Sequence, residues 1–121
     1  MAKKSRLNKE IKSKFYIFYI FINGSNGGDV DLTLINQKIK GNIVVDSISS
    51  LSMKLTKSSI FTGTINSNNE AKEIKLTLDS NSKIKLTGNS YVSELDDEDT
   101  SYSNIDLNGY KLYVGGKELK K

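Results

Sequence analysis

Two stretches of alternating hydrophobic and polar positions repeat each other in this chain. Residues 51–67 read LSMKLTKSSIFTGTINS, and residues 74–90 read IKLTLDSNSKIKLTGNS, at an offset of 23 residues. Alternation sends every second side chain to one face of a strand, and a period of about 20–30 residues is typical of a solenoid whose coils bury their apolar face by stacking. The apolar positions Leu51, Met53, Leu55, Phe61 and Ile65 fall on Ile74, Leu76, Leu78, Ile84 and Gly88.

The pattern extends in both directions and predicts four unequal coils. Sliding back by 21 or 22 residues places a first coil, Val30 to Val45, on the second. A fourth coil is expected from Asn104, after residues 96–103 (DDEDTSYS), which we expect to form a loop on one face. Asn and Gly recur at the corners, where left-handed backbone conformations cost least.

These features predict an all-β fold, a short right-handed parallel β-helix of about four coils over residues 23–121. An antiparallel sandwich is the competing interpretation, because several segments are compatible with hairpins. The regular copies and the lack of a two-residue Asn-Gly hairpin inside the repeat favour the parallel arrangement. No stretch has a helical period with helix caps, so little helix is expected.

Residues 1–22 differ from the rest, because a basic segment runs into eight apolar residues, Phe15 to Ile22. This segment has three interpretations: a strand that caps the first coil, a degenerate secretory signal or anchor, or an artefactual start on a truncated reading frame. Eight apolar residues are too few to span a bilayer, and no small-x-small cleavage site follows. An open solenoid end is an unpaired stacking surface, so weak self-association is expected unless this strand covers it.

Composition excludes several classes of function. The chain of 121 residues, enough for one domain, has no Cys and no His, which removes disulfides, thiolate metal sites and His-dependent nucleophiles. The net charge is +4, but residues 1–14 carry six Lys or Arg against one Glu, which leaves −1 for the remainder. Arg6 is the only Arg, so a nucleic-acid-binding surface is not predicted.

The acidic run Asp96, Asp97, Glu98 and Asp99 is the sharpest chemical cluster. Calcium binds carboxylate and carbonyl oxygens from flexible loops, so these residues are candidate calcium ligands. A solvated loop explains the run equally well. Four adjacent acids do not provide the two separated carboxylates of a glycosidase, and we expect no catalysis.

Ligand binding requires a less specific set of residues than catalysis does. Outward lysines on successive coils can contact uronate carboxylates, and tyrosines near the last coil can pack against sugar rings. The alternative for both is structural: outward lysines are commonly solubilising, and tyrosines near a solenoid end often cover it. We predict that end-covering role for Tyr91 and Tyr113. The candidate ligand-binding residues are Lys54, Lys75, Lys83, Lys85, Tyr102 and Tyr110.

The segment from Val30 to Leu119 resembles the C-terminal coils of a family of bacterial surface-exposed right-handed parallel β-helix proteins with carbohydrate-binding domains. The resemblance lies in LTLINQKIKGNIVVDS, SLSMKLTKSSIFTGTIN and LTGNSYVSELDDEDTSYSNIDLNGYKLYVGGKEL. It implies a noncatalytic module outside the cell that binds an acidic polysaccharide such as pectin or polygalacturonate, with calcium as a candidate cofactor. The alternatives are a structural or adhesive repeat module without a small ligand, or a fragment of a larger β-helix protein.

Overall fold

The computed structural model describes all residues from 28 to 121 and, before them, the backbone of three strands. The described part contains only strands and turns. The strands are β1 (Ser5–Ile11), β2 (Phe15–Ile17), β3 (Ile20–Ile22), β4 (Gly28–Ile35), β5 (Lys38–Val45), β6 (Ser50–Thr56), β7 (Ile60–Ile65), β8 (Glu73–Leu78), β9 (Lys83–Leu86), β10 (Ser90–Val92), β11 (Glu94–Asp97), β12 (Ile105–Asp106), β13 (Leu112–Val114) and β14 (Lys117–Glu118).

These strands form three sheets that the chain visits in turn. The first sheet has the order β1-β4-β6-β8-β11, and the second has the order β12-β9-β7-β5-β2, with β3 also paired to β5. The third sheet, β10-β13-β14, contains the one antiparallel pair among the described strands, β13 with β14. The protein is therefore a parallel β-solenoid of about four coils, as predicted, and the antiparallel sandwich is wrong.

The register between coils agrees with the repeat seen in the sequence. In the first sheet Leu51 pairs with Ile74, and in the second sheet Phe61 pairs with Ile84. Inward residues therefore stack in columns, such as Leu34, Leu55 and Leu78, each 0% exposed. Stacking of identical positions supplies the apolar burial that a single coil lacks.

The sequence prediction placed the start of the fourth coil ten residues too late. Strand β11 pairs with β8, so the coil begins at Glu94 rather than at Asn104. Asp96 and Asp97 are therefore strand residues, and the loop spans residues 98–104. The acidic strand is held because its backbone pairs with β8 and because Leu95 packs against the core.

One predicted alignment in the third coil also differs. The pairing of β7 with β9 ends at Gly63 with Leu86, so Ile65 does not lie opposite Gly88. The backbone N–H of Ile65 instead donates to the hydroxyl of Ser90, at 3.0 Å. The chain leaves the second sheet two residues earlier in this coil because a third strand, β10, follows it.

Tyr91 and Tyr113 do not cover the end of the solenoid, contrary to the prediction. Tyr91 lies between the buried residues Ser90 and Val92, so its ring points outward from the third sheet. It stacks on Tyr113 of the paired strand, with ring centroids 4.9 Å apart and an interplanar angle of 8°. The end is covered instead by the C-terminal segment, where Leu119 packs against the core.

The region predicted as a capping strand contains two short strands, β2 and β3, which pair in parallel with β5. A third strand, β1, was not predicted from the sequence and pairs with β4. The basic residues Lys3, Lys4, Lys12 and Lys14 lie outside the described residues.

Gly63 is required by the close approach of two neighbouring coils. It pairs with Gly41, and a Cβ atom added to Gly63 would overlap the carbonyl oxygen of Gly41. The same Cβ would lie 3.1 Å from the ring of Phe61, which is 0% exposed. The absence of a side chain at Gly63 thus leaves the space that the Phe61 ring occupies.

We predict that Gly63→Ala destabilises the protein by about 3 kcal/mol, because backbone and a buried ring must both move. The control is Gly88→Ala, whose Cβ meets only a Thr64 methyl group, at 2.9 Å. Its cost should be smaller, about 1 kcal/mol, because one methyl group of a half-buried side chain has to move rather than the backbone of a neighbouring coil. Urea unfolding of both variants measures the difference, and equal losses would contradict this account of Gly63.

Candidate functional site

The four candidate lysines lie on two different sheets. Lys54 and Lys75 are outward residues of the first sheet, on β6 and β8. Lys83 and Lys85 are outward residues of β9, in the second sheet. The four amines therefore do not form one binding surface, because the chain turns a corner between β8 and β9.

Within residues 28–121, the outer face of the first sheet is predominantly acidic, since its strands carry two lysines and five carboxylates there. Next to Lys75, a cleft of about 460 Å³ is lined mostly by polar residues, among them Lys72 and Ser52. This face is a poor surface for an acidic polymer. Its carboxylates are those of Asp29, Asp31, Glu73, Glu94 and Asp96.

The outer face of the second sheet has the opposite charge. Lys38 and Lys40 on β5 and Lys83 and Lys85 on β9 are all exposed, and we call these four residues the lysine face. In register, Ile60 separates Lys38 from Lys83 and Thr62 separates Lys40 from Lys85. Within residues 28–121 none of the four amines forms an ion pair, and Asp106, in register with Lys85, is the one acid on this face.

Sheet geometry sets the spacing of these amines. Residues two apart along a strand are separated by about 6.6 Å, and strands two apart by about 9.5 Å. The lysine face is therefore a nearly rectangular array of four cations on a flat surface, with Thr62 between its two rows. Sequence analysis missed Lys38 and Lys40, although the tripeptide Lys-Ile-Lys occurs at both 38–40 and 83–85.

The four candidate calcium ligands do not converge. Asp96 faces outward on β11, Asp97 faces inward and is 6% exposed, and Glu98 is exposed at the start of the loop. Asp99 accepts hydrogen bonds from the hydroxyls of Ser101 and Ser103. No three acidic side chains within the described residues form a group that could hold a metal ion. The structure therefore gives this predicted site no ligand geometry.

Asp97 has a structural role that the sequence did not indicate. It lies in the column of Leu34, Leu55 and Leu78, where its Oδ1 accepts a 3.0 Å hydrogen bond from Asn104 Nδ2. The same amide donates to the carbonyl oxygens of Ser82, at 2.9 Å, and Asp79, at 3.2 Å. Asp97 and Asn104 thus fix the loop of residues 98–104 to the third coil.

Asp99 organises the loop from inside it. The Ser101 hydroxyl, at 2.6 Å, and the Ser103 hydroxyl both donate to its carboxylate, which lowers the pKa of Asp99 from its ordinary value of 3.8 to about 2. The backbone N–H of Ser101 also donates to Oδ1, at 3.0 Å. Both carboxylate oxygens are therefore used to shape the turn.

The two candidate tyrosines lie at different corners. Tyr102 has a left-handed backbone with φ of 58° and packs against the core, so its ring is half-buried in the corner before β12. Tyr110 lies in the corner after β12 and is 43% exposed. Of the two, Tyr110 is the one whose ring is available to a ligand.

Comparisons with known proteins identify no relative. No family model matches the chain, and searches of curated proteins and of solved structures found no match either. The family resemblance noted in the sequence stays a hypothesis. Across the described residues there is no helix of the length and hydrophobicity that a membrane span requires.

We predict that Ser101→Ala raises the pKa of Asp99 from about 2 toward the ordinary value of an Asp, because it removes the strongest hydrogen bond to the carboxylate. The native pKa lies below that of the unfolded chain, so this contact stabilises the fold above about pH 4 and is lost as the pH falls toward 2. NMR titration of the side-chain carboxyl carbon measures the change. Ser67→Ala, at another corner, should leave the titration as it is, and an unchanged Asp99 in Ser101→Ala would refute the assignment.

Proposed function

We propose that this protein is a noncatalytic module that binds an acidic polysaccharide across the lysine face. The observation that carries the proposal is the array of four exposed amines with no ion-pair partner within residues 28–121. An extended polymer with a carboxylate on each sugar can contact several of these amines at once. Many weak contacts on one polymer then add to a useful affinity.

Neighbouring groups also suit a sugar polymer. Thr62, Thr64 and Asn42 lie on the same outer face, and the Thr64 hydroxyl donates to Asn42 Oδ1 at 2.8 Å. Hydroxyl and amide groups can both donate hydrogen bonds to sugar hydroxyls and accept hydrogen bonds from them. A lysine ammonium group can only donate. A mixed surface of this kind favours a polyuronate over a simple inorganic anion.

The resemblance to bacterial surface β-helix proteins supports a location outside the cell and a polygalacturonate-like ligand. Two features support binding without catalysis: the chain has no His, and its acidic run is spread over inward, outward and loop positions. Calcium has no converging set of ligands in the described residues, so the proposed binding is carried by lysine contacts.

We predict that the wild-type protein is retained on immobilised polygalacturonate, and that retention weakens as salt screens the contacts. Lys83→Gln/Lys85→Gln should lower the affinity about 5- to 30-fold, since each exposed contact contributes up to about 1 kcal/mol. Lys38→Gln/Lys40→Gln should act in the same direction. Equilibrium titration with soluble oligogalacturonate gives the dissociation constants.

The matched control is Lys54→Gln/Lys75→Gln, which removes the same charge from the first sheet and should bind like the wild type. A neutral glucan tests whether charge is needed. Equal losses of affinity in the two double variants would show that binding does not depend on the lysine face. Retention that needs calcium and disappears with a chelator would instead favour residues 96–99, and no retention in any condition would refute the proposed function.

A further inference from the structure

The second coil presents two short side chains, Ser50 and Ser52, at neighbouring outward positions of β6. The residues paired with these serines on the coils above and below are all longer and charged: Asp29, Asp31, Glu73 and Lys75. Strands two apart in a sheet are separated by about 9.5 Å, so the serines form a floor between two walls of charged side chains. This difference in side-chain length produces the cleft of about 460 Å³ on the outer face of the first sheet.

Four polar side chains that line the cleft make no hydrogen bond or ion pair within residues 28–121. They are the two hydroxyls of Ser50 and Ser52, the carboxylate of Glu73 and the amine of Lys75. A carboxylate only accepts hydrogen bonds, an ammonium group only donates them, and a hydroxyl does both. Glu73 and Lys75 are two residues apart on β8, so about 6.6 Å separates them along the strand. The cleft therefore offers available donors and acceptors side by side.

The charges in the lining disfavour an ionic ligand. Three carboxylates oppose an anion, and the amines of Lys72 and Lys75 oppose a cation. Among the described residues that line the cleft, Val30 is the one apolar residue, so an apolar ligand would find little surface to contact. The class of ligand that remains is neutral and polar.

A neutral sugar has the chemistry that the cleft requires. Each sugar hydroxyl can donate one hydrogen bond and accept another at the same oxygen. One hydroxyl can therefore donate to Glu73 while its neighbour accepts from Lys75, and the serine hydroxyls can take either role. The volume of about 460 Å³ also lies within the range of small-ligand sites, about 300–1,000 Å³.

The cleft is separate from the lysine face. Its lining comes from β4, β6 and β8 of the first sheet and from the corner before β8, whereas the lysine face belongs to β5 and β9 of the second sheet. The two surfaces can therefore be occupied independently, by ligands of different charge. An inference about the cleft does not rest on the acidic polysaccharide.

We propose that the cleft over Ser50 and Ser52 is a second binding site, which takes a neutral sugar unit. Its contacts are hydrogen bonds at an exposed surface, and each contributes only about 1 kcal/mol. The dissociation constant for a short neutral oligosaccharide should therefore be about 1 mM. Because the ligand has no charge, salt should change this affinity little.

NMR titration of the isotope-labelled full chain locates the binding. The probes are neutral hexasaccharides of glucose, galactose and mannose, each tested separately. At least one of them should shift the backbone amide signals of Ser50, Ser52 and Glu73, at low and at high salt alike. The amide signals of Lys38 and Lys83, on the lysine face, should stay where they are.

Filling the floor of the cleft gives the decisive variant. Ser50→Gln/Ser52→Gln places long neutral side chains in the cleft and leaves its charge unchanged, so the affinity should fall about tenfold or more. Lys75→Met keeps the length of the side chain and removes the donor, and it should weaken binding about fivefold. Thr77→Gln is the matched control, since Thr77 is an outward residue of β8 outside the lining of the cleft, and it should bind like the wild type. All these positions are outward, so the remaining amide signals should match those of the wild type.

Three outcomes overturn the proposal. They are the absence of shifts with all three hexasaccharides at up to about 10 mM, shifts that map to the lysine face, and unchanged affinity in Ser50→Gln/Ser52→Gln. Titration with oligogalacturonate is a separate measurement, so either site can fail without the other.

Discussion

Coil-to-coil register is the constraint on which this structure depends. Each coil buries its inward side chains only against the coils above and below it, so Leu34, Leu55 and Leu78 must stay aligned. Length can vary only at corners, where the ladder of backbone hydrogen bonds is interrupted. Buried serine hydroxyls accept there from backbone N–H groups of the preceding coil, as Ser59 does from Gln37 and Ser82 does from Ser59. The corners therefore stay paired without fixing the number of residues in them.

The apolar columns could be predicted from the sequence, and the polar parts of the core could not. Alternation identifies a strand when its inward residues are hydrophobic, which is why the pairing of Leu51 with Ile74 was predicted to the residue. Strand β11 escaped prediction because its inward residue Asp97 is a carboxylate, held by Asn104 seven residues later. A polar residue can be assigned to an inward column only when the residue that it pairs with on the preceding coil is known. That pairing is given by the three-dimensional register between coils.

The candidate site was also only partly predictable from the sequence. Alternation correctly marked Lys54, Lys75 and Lys83 as outward residues. It did not show which sheet each one joins, because that depends on where the chain turns a corner. The separation into an acidic first sheet and a basic second sheet arises from the arrangement of coils, since the chain after residue 14 has a net charge of only −1. Surface electrostatics in a solenoid therefore follow from sheet assignment more than from composition.

Charges at a sheet edge ordinarily keep other strands away, and the inward-facing Asp97 of β11 fits that description. Its carboxylate occupies a column that is otherwise filled by Leu34, Leu55 and Leu78, so a further apolar strand would have to bury a charged group. Asn104 fixes this carboxylate through a 3.0 Å hydrogen bond, and the same amide group donates to carbonyl oxygens of the third coil. The contact that attaches the loop to the third coil thus also places a charge where another apolar strand would otherwise pack.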